Sequence, residues 1–124
     1  MTAGELIALV DQLRPNQYSA QQKLGWLRRL DGQILAELEQ SHLPLPGEEP
    51  PTLPAVYNTA TRLLAPFPYD EELYTAYLFC QIDLHNAEIQ KYNQSLSLLA
   101  AAWRQLADFI NRRRRPRGAA RWQL

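Results

Sequence analysis

Leu6, Leu9, Val10 and Leu13 recur three and four residues apart in TAGELIALVDQLR, residues 2–14. That spacing puts one apolar face on a short helix. Thr2 and Glu5 fit a capping box, in which each side chain takes up a backbone N–H left unpaired at the helix start, and Pro15 and Asn16 stop it. Ser19 and Gln22 repeat the starting pattern. Leu24, Leu27, Leu30 (Asp31 on a stricter count), Ile34, Leu35 and Leu38 then predict a helix of about five turns. Lys23, Arg28, Glu37 and Glu39 fall on its opposite side. Gly25 and Gly32 weaken that helix and are read as marks of close backbone approach.

Prolines then interrupt the pattern. LPLPGEEPPTLP, within the loop 43–56, is incompatible with a helix or a central strand, because each proline removes a donor and fixes φ. A short extended piece is expected around Thr61 to Ala65. A long helix follows from Tyr69 or Asp70 through to Tyr92, with Asp70, Glu71 and Glu72 opposing the positive end of its dipole. Leu73, Tyr77, Cys80 (or Phe79), Leu84, Ala87 and Tyr92 give it a buried face, widened by Tyr74, Leu78 and Ile82. So wide a stripe calls for more than one packing neighbour. A last helix from Ser95 to Arg112 carries Leu96, Leu99, Trp103, Leu106 and Ile110 as an antiparallel seam. Trp103 is placed at the centre of that seam, where truncation to alanine would cost about 3–5 kcal/mol.

The reading is therefore all-α: a small bundle of about four helices with a long proline-rich loop and an extended basic C-terminal tail. At 124 residues it is one domain, divided as a helical body, 1–112, and a tail, 113–124. No apolar run is long enough to span a membrane and no leader pattern opens the chain, so a cytosolic, unprocessed protein is expected. The single cysteine, Cys80, excludes an intramolecular disulfide.

Charge changes the picture. All 13 acidic residues precede Arg112, against seven basic ones. Arg112, Arg113, Arg114, Arg115, Arg117 and Arg121 crowd the end. An acidic body with a basic arm implies that the arm meets an acidic surface. Trp122 and Leu124, beyond the arginines, suit a segment that orders on a partner; the plainer reading is a solvated end.

Candidate chemistry is sparse. Cys80 and His85 stand five residues apart on one helix, roughly 140° around the axis, and do not face each other. His85 with Asp83 and Glu88 matches no recognised metal spacing, and His42 is remote in sequence. No phosphate-binding, dinucleotide or nucleophile-elbow motif is present. Catalytic, cofactor and metal residues are all read as none. The six aromatics from Phe67 to Tyr92 are read as packing groups, with Phe67, Tyr69 and Tyr74 as candidates for contact between subunits.

PFPYDEELYTAYLFCQIDLHNAEIQKYNQS, then AAW and DFINR, preceded by YSAQQKLGWLRRLDGQI, resembles a family of small proteins from the head-assembly modules of tailed phages and prophages. That family is similar to head–tail connector, or head-completion adaptor, proteins. The resemblance implies a helical virion protein at the neck, present in the host cytoplasm during assembly. Its subunits would form a twelve-fold ring under the portal protein, extend the DNA channel and receive the next neck or tail-completion protein. The C-terminal segment, Arg112 to Leu124, would reach the portal, and the family carries no catalytic residues. The alternative is a small nucleic-acid-binding protein using the arginines on phosphates. Against it stand the acidic body and the lack of a basic recognition helix.

Overall fold

The computed structural model describes residues 1–39, 47, 49 and 51–113. Among them the chain forms four α-helices and no strand: α1 (Ala3–Leu13), α2 (Ala20–Ile34), α3 (Asp70–His85) and α4 (Ile89–Arg113). A π-helical segment, Leu35–Glu39, continues α2. Part of the loop 43–56 lies outside the described residues. So does the tail from Arg114 on. The described helix runs through Arg113, one residue past the expected end of the body.

Both capping boxes form. Thr2 Oγ1 accepts from the Glu5 N–H at 3.2 Å while Glu5 Oε1 accepts from the Thr2 N–H at 3.0 Å; Ser19 and Gln22 do the same at α2. Two further free donors of α1 are taken by the segment before α3. The Ala3 and Gly4 N–H groups donate to the carbonyls of Thr61 and Thr59, at 2.8 and 2.9 Å. The extended piece expected at Thr61 to Ala65 amounts to one antiparallel bridge, Thr2 to Arg62, with the Leu63 N–H donating to Met1 O.

α3 is the hub. It packs against α1, α2 and α4, and Leu73, Tyr74, Ala76, Tyr77, Leu78, Cys80 and Ile82 bury residues all around its axis. Around it Leu6, Val10, Leu27, Leu30, Ile34, Leu63, Leu106 and Ile110 close a single core. The multiple neighbours expected for this helix are all present.

Its end differs from the sequence reading. The helix stops at His85 and does not run on to Tyr92. The chain reverses through Asn86, Ala87 and Glu88, where the Ala87 N–H donates to Leu84 O at 3.1 Å and the Glu88 N–H to Asp83 O at 2.9 Å. That pair of bonds is a Schellman motif, with Ala87 at φ 57° in the left-handed position usually held by glycine. An alanine there hides the stop. Leu84, expected on the buried face, is half exposed. The last helix accordingly begins at Ile89, two turns early, and buries Ser95, Ala102, Leu106 and Ile110. Leu96 is exposed, and Trp103 is partly buried at the core's edge. Lys23, assigned to the polar side of α2, is buried, with Nζ donating to Asp11 Oδ1 at 2.5 Å.

The glycines are reassigned too. A β-carbon at Gly25 or Gly32 would meet nothing within 4 Å, so neither marks a close approach. Gly4 does: a β-carbon there would lie 2.8 Å from Thr59 O, the atom its own N–H bonds. Gly25→Ala and Gly32→Ala are therefore expected to stabilise the protein by up to about 1 kcal/mol each. Gly4→Ala should destabilise it by about 1–3 kcal/mol through overpacking. Urea unfolding of the three variants checks this; a Gly4→Ala midpoint at or above wild type contradicts it.

Trp103→Ala should cost less than Leu106→Ala, for which about 2–5 kcal/mol is expected, because Leu106 is fully buried and Trp103 is not. Thermal melts of the pair decide the order.

Candidate functional site

Sites of reaction are usually built from buried polar groups beside a cavity. Asp31, on α2, is one of two carboxylates with no exposed surface among the described residues. Tyr57 donates its hydroxyl to Asp31 Oδ2 at 2.6 Å, the Leu64 N–H donates to the same oxygen at 3.3 Å, and the Tyr74 hydroxyl donates to Oδ1. Tyr74 in turn accepts from the Ala65 N–H at 2.8 Å. Burial pushes the Asp31 carboxyl above its ordinary range, while the two phenols and the Leu64 amide pull it back. Burial, and then the neighbouring Asp31, push both phenols up. Every hydrogen-bonding group is occupied from within. This cluster binds α2, α3 and the segment between them.

A second cluster sits where α3 turns into α4. Arg14 Nη1 donates to Asp83 Oδ2 at 2.6 Å, and Ser95 Oγ donates to the same oxygen at 2.9 Å. The Arg14 guanidinium lies 4.0 Å from the centre of the Phe79 ring. Asp83 is fully buried and its Oδ1 has no hydrogen-bond partner. Nearby Cys80 is buried, and desolvation, with some help from Asp83, pushes its thiol up to about 11. A thiol so held is protonated at neutral pH and is a poor nucleophile. His85 faces away from it: its ring packs at 5.0 Å from Trp26 and 5.8 Å from Tyr18, and Nδ1 lies 2.8 Å from Gln81 O. Among the described residues no three His, Cys, Asp or Glu side chains gather at a metal-binding distance. His42 lies outside them. Of the acidic triplet, Asp70 is buried and its Oδ1 accepts from the Glu71 N–H at 2.8 Å, while Glu71 and Glu72 are exposed.

The surface is more distinctive than the interior. α4 is apolar on more sides than its own subunit covers: Leu98 is 62% exposed and Leu96 42%. Two open grooves flank it. One, about 420 Å³, runs between α4 and α2 with its π-helical continuation, lined by Leu30, Tyr77, Leu96, Leu99 and Trp103 with Gln33 and Arg104 at its edges. The other, about 300 Å³, lies between α3 and α4 and is lined by Thr75, Phe79, Leu98 and Ala101, with Glu72 and Gln105.

The three aromatics read as subunit-contact candidates part company. Phe67 is 87% exposed on the turn before α3. Tyr69 is partly buried and stacks on Phe109 at 4.8 Å. Tyr74 is fully buried on Asp31 and cannot reach another subunit, because it lies on the face of α3 turned to α2 and the segment before α3. Of the docking residues, Arg112 and Arg113 stand exposed on the last turn of α4, the Arg113 guanidinium 5.9 Å from the Phe109 ring centre. Arg114, Arg115, Arg117, Arg121, Trp122 and Leu124 lie outside the described residues. Sequence reasoning missed the role of Asp31 and of Tyr57. A lone aspartate on an otherwise apolar stripe was the available signal.

No described helix is long and apolar enough to cross a membrane. Compared with known proteins, the chain matches no family model, no curated protein and no solved structure.

Tyr74→Phe should cost more than Tyr57→Phe. The first orphans both Asp31 Oδ1 and the Ala65 N–H; the second leaves Oδ2 with Leu64. About 1–3 kcal/mol is expected for each orphaned group. The pH dependence has a definite sign. Because the folded-state value of Asp31 is raised, its contribution is fully present below the ordinary value of 3.8 and declines as pH climbs through the raised value. The stability advantage of wild type over Asp31→Asn should therefore shrink as pH rises from there. Denaturant unfolding across mildly acidic to neutral pH reads this out; an advantage that grows with pH contradicts it.

Proposed function

We propose that this protein is a structural ring subunit of a tailed-phage head–tail connector, docking under the portal protein, extending the DNA channel and receiving the next neck protein. The observation that carries the reading is the resemblance of residues 66–95 and their flanking helices to that group of head-assembly proteins. Two features support it. The polar clusters of the interior join helices, and the apolar surface along α4 is open to contact with other chains. And the charge is divided between an acidic body and a basic end, which suits a channel wall that lets DNA slide and an arm that grips an acidic partner.

The rival reading, a nucleic-acid-binding protein, draws on the same arginines. Binding through them would be independent of sequence and steeply salt-dependent. A gel shift at moderate salt separates the two: the connector reading expects no retained complex with duplex DNA.

Removing residues 114–124 should leave the fold intact, since the last residue of the described core is Ile110, and should abolish co-assembly with purified portal. Replacing Arg112 to Arg115 should slow association and flatten its salt dependence, whereas Trp122→Ala should mainly speed dissociation. If the truncated protein still completes heads in a complemented phage, the tail is a solvated end and the docking claim fails.

A further inference from the structure

Phe67 is a large apolar side chain left almost wholly in water, at 87% exposure, and its position is held firmly. Pro66 and Pro68 flank it, the Tyr69 N–H donates to Pro66 O at 2.8 Å, and Tyr69 is stacked on Phe109. The ring is thus presented on a fixed turn, so little freedom is lost when something covers it. Exposed Glu71 and Glu72 follow on the first turn of α3. The chain offers an aromatic knob beside two carboxylates.

The same molecule carries a matching receptor elsewhere. The α2–α4 groove, about 420 Å³, is walled by Leu30, Tyr77, Leu99 and Trp103. Arg104 is exposed among its lining residues, and the positive charge of Arg29 acts on Tyr77, one of its walls. Glu37 is an exposed carboxylate on the same wall. The α3–α4 groove fits less well, because it is smaller and its lining carries Glu72 with no arginine to meet the carboxylates beside the knob.

We propose that Phe67 of one copy seats in the α2–α4 groove of a second copy, with Glu71 and Glu72 meeting Arg104 across the rim. Knob and groove are different surfaces of one subunit, so the contact is head-to-tail. Each copy keeps a free knob or a free groove until the series closes. One aromatic with a charged rim lies at the weak end of protein interfaces. Two copies should associate feebly, and a closed ring, in which every subunit uses both surfaces, should hold far better. The contact deepens the ring-subunit reading and rests on it for closure; the pairing itself is carried by the knob, the groove and their charges.

The test uses the full chain with Phe67 replaced by p-benzoylphenylalanine, which keeps an aromatic ring and cross-links on illumination. Mixed with isotope-labelled wild type at millimolar concentration, it should form cross-links between molecules that map to residues 30–37 or 96–104. Arg104→Glu in the labelled partner should lower the yield at least about tenfold. Glu71→Lys with Glu72→Lys in the cross-linking copy should restore it. Cross-links mapping elsewhere, or joining position 67 to position 67, overturn the proposal, as does the absence of any product. Portal co-assembly of the same charge variants separates this inference from the function on which it rests. Attachment retained with the cross-link misplaced overturns the contact and leaves the ring reading. A correctly placed cross-link with no attachment by wild type overturns the ring reading and leaves the contact.

Discussion

A carboxylate with no exposed surface must be surrounded by donors or neutralised, and Asp31 meets that constraint by drawing three parts of the chain to itself. Tyr57 and the Leu64 amide come from the segment between the loop and α3; Tyr74 comes from α3; Asp31 itself fixes α2. Much else follows from this meeting. With Leu64 and Ala65 held by Asp31 and Tyr74, the segment before them is positioned so that Thr59 and Thr61 cap the start of α1. The first helix is thereby tied to the third through a stretch that has almost no regular structure. Gly4 is the steric condition for that tie. Replacing Asp31 by a well-packed apolar residue need not be ruinous in principle, but the two tyrosines and the Leu64 amide would then need other partners.

The helices were legible in the sequence where their signals are local. Capping boxes and apolar spacing depend on residues three or four apart, and both boxes and the wide face of α3 are found. What was illegible depends on distant partners or on unusual residues. The stop after His85 uses an alanine in a conformation that glycine normally signals, so the pattern reads on to Tyr92 and places the start of α4 six residues late, while Leu99, Trp103, Leu106 and Ile110 of its seam do pack on the core. Lys23 looked like a solvent residue because its partner, Asp11, sits on another helix. Tyr74 looked available to a neighbour because a tyrosine's apolar body and polar tip suit interfaces equally well. Only the carboxylate across from it shows why it is inside.

The division between a sealed interior and an open α4 is what the functional reading draws on. Polar groups inside the bundle join helices: Asp31 at the centre, Asp83 through its Oδ2 at the α3–α4 turn, Lys23 between α1 and α2. Cys80, the chain's one thiol, is buried and protonated. Outside, the two grooves along α4 and the raised Phe67 are surfaces suited to contact with other chains. An assembly protein needs such a body: rigid within, and apolar at the places where its neighbours meet it.

The central claim is that one buried carboxylate locks an otherwise irregular segment into the core. Residue-resolved amide hydrogen exchange at Leu64 and Ala65 tests it most directly. Both amides should exchange as slowly as those in the middle of α3, opening only with the whole molecule. Exchange at the rate of an exposed loop would mean that Asp31 does not hold the segment, and would contradict the account.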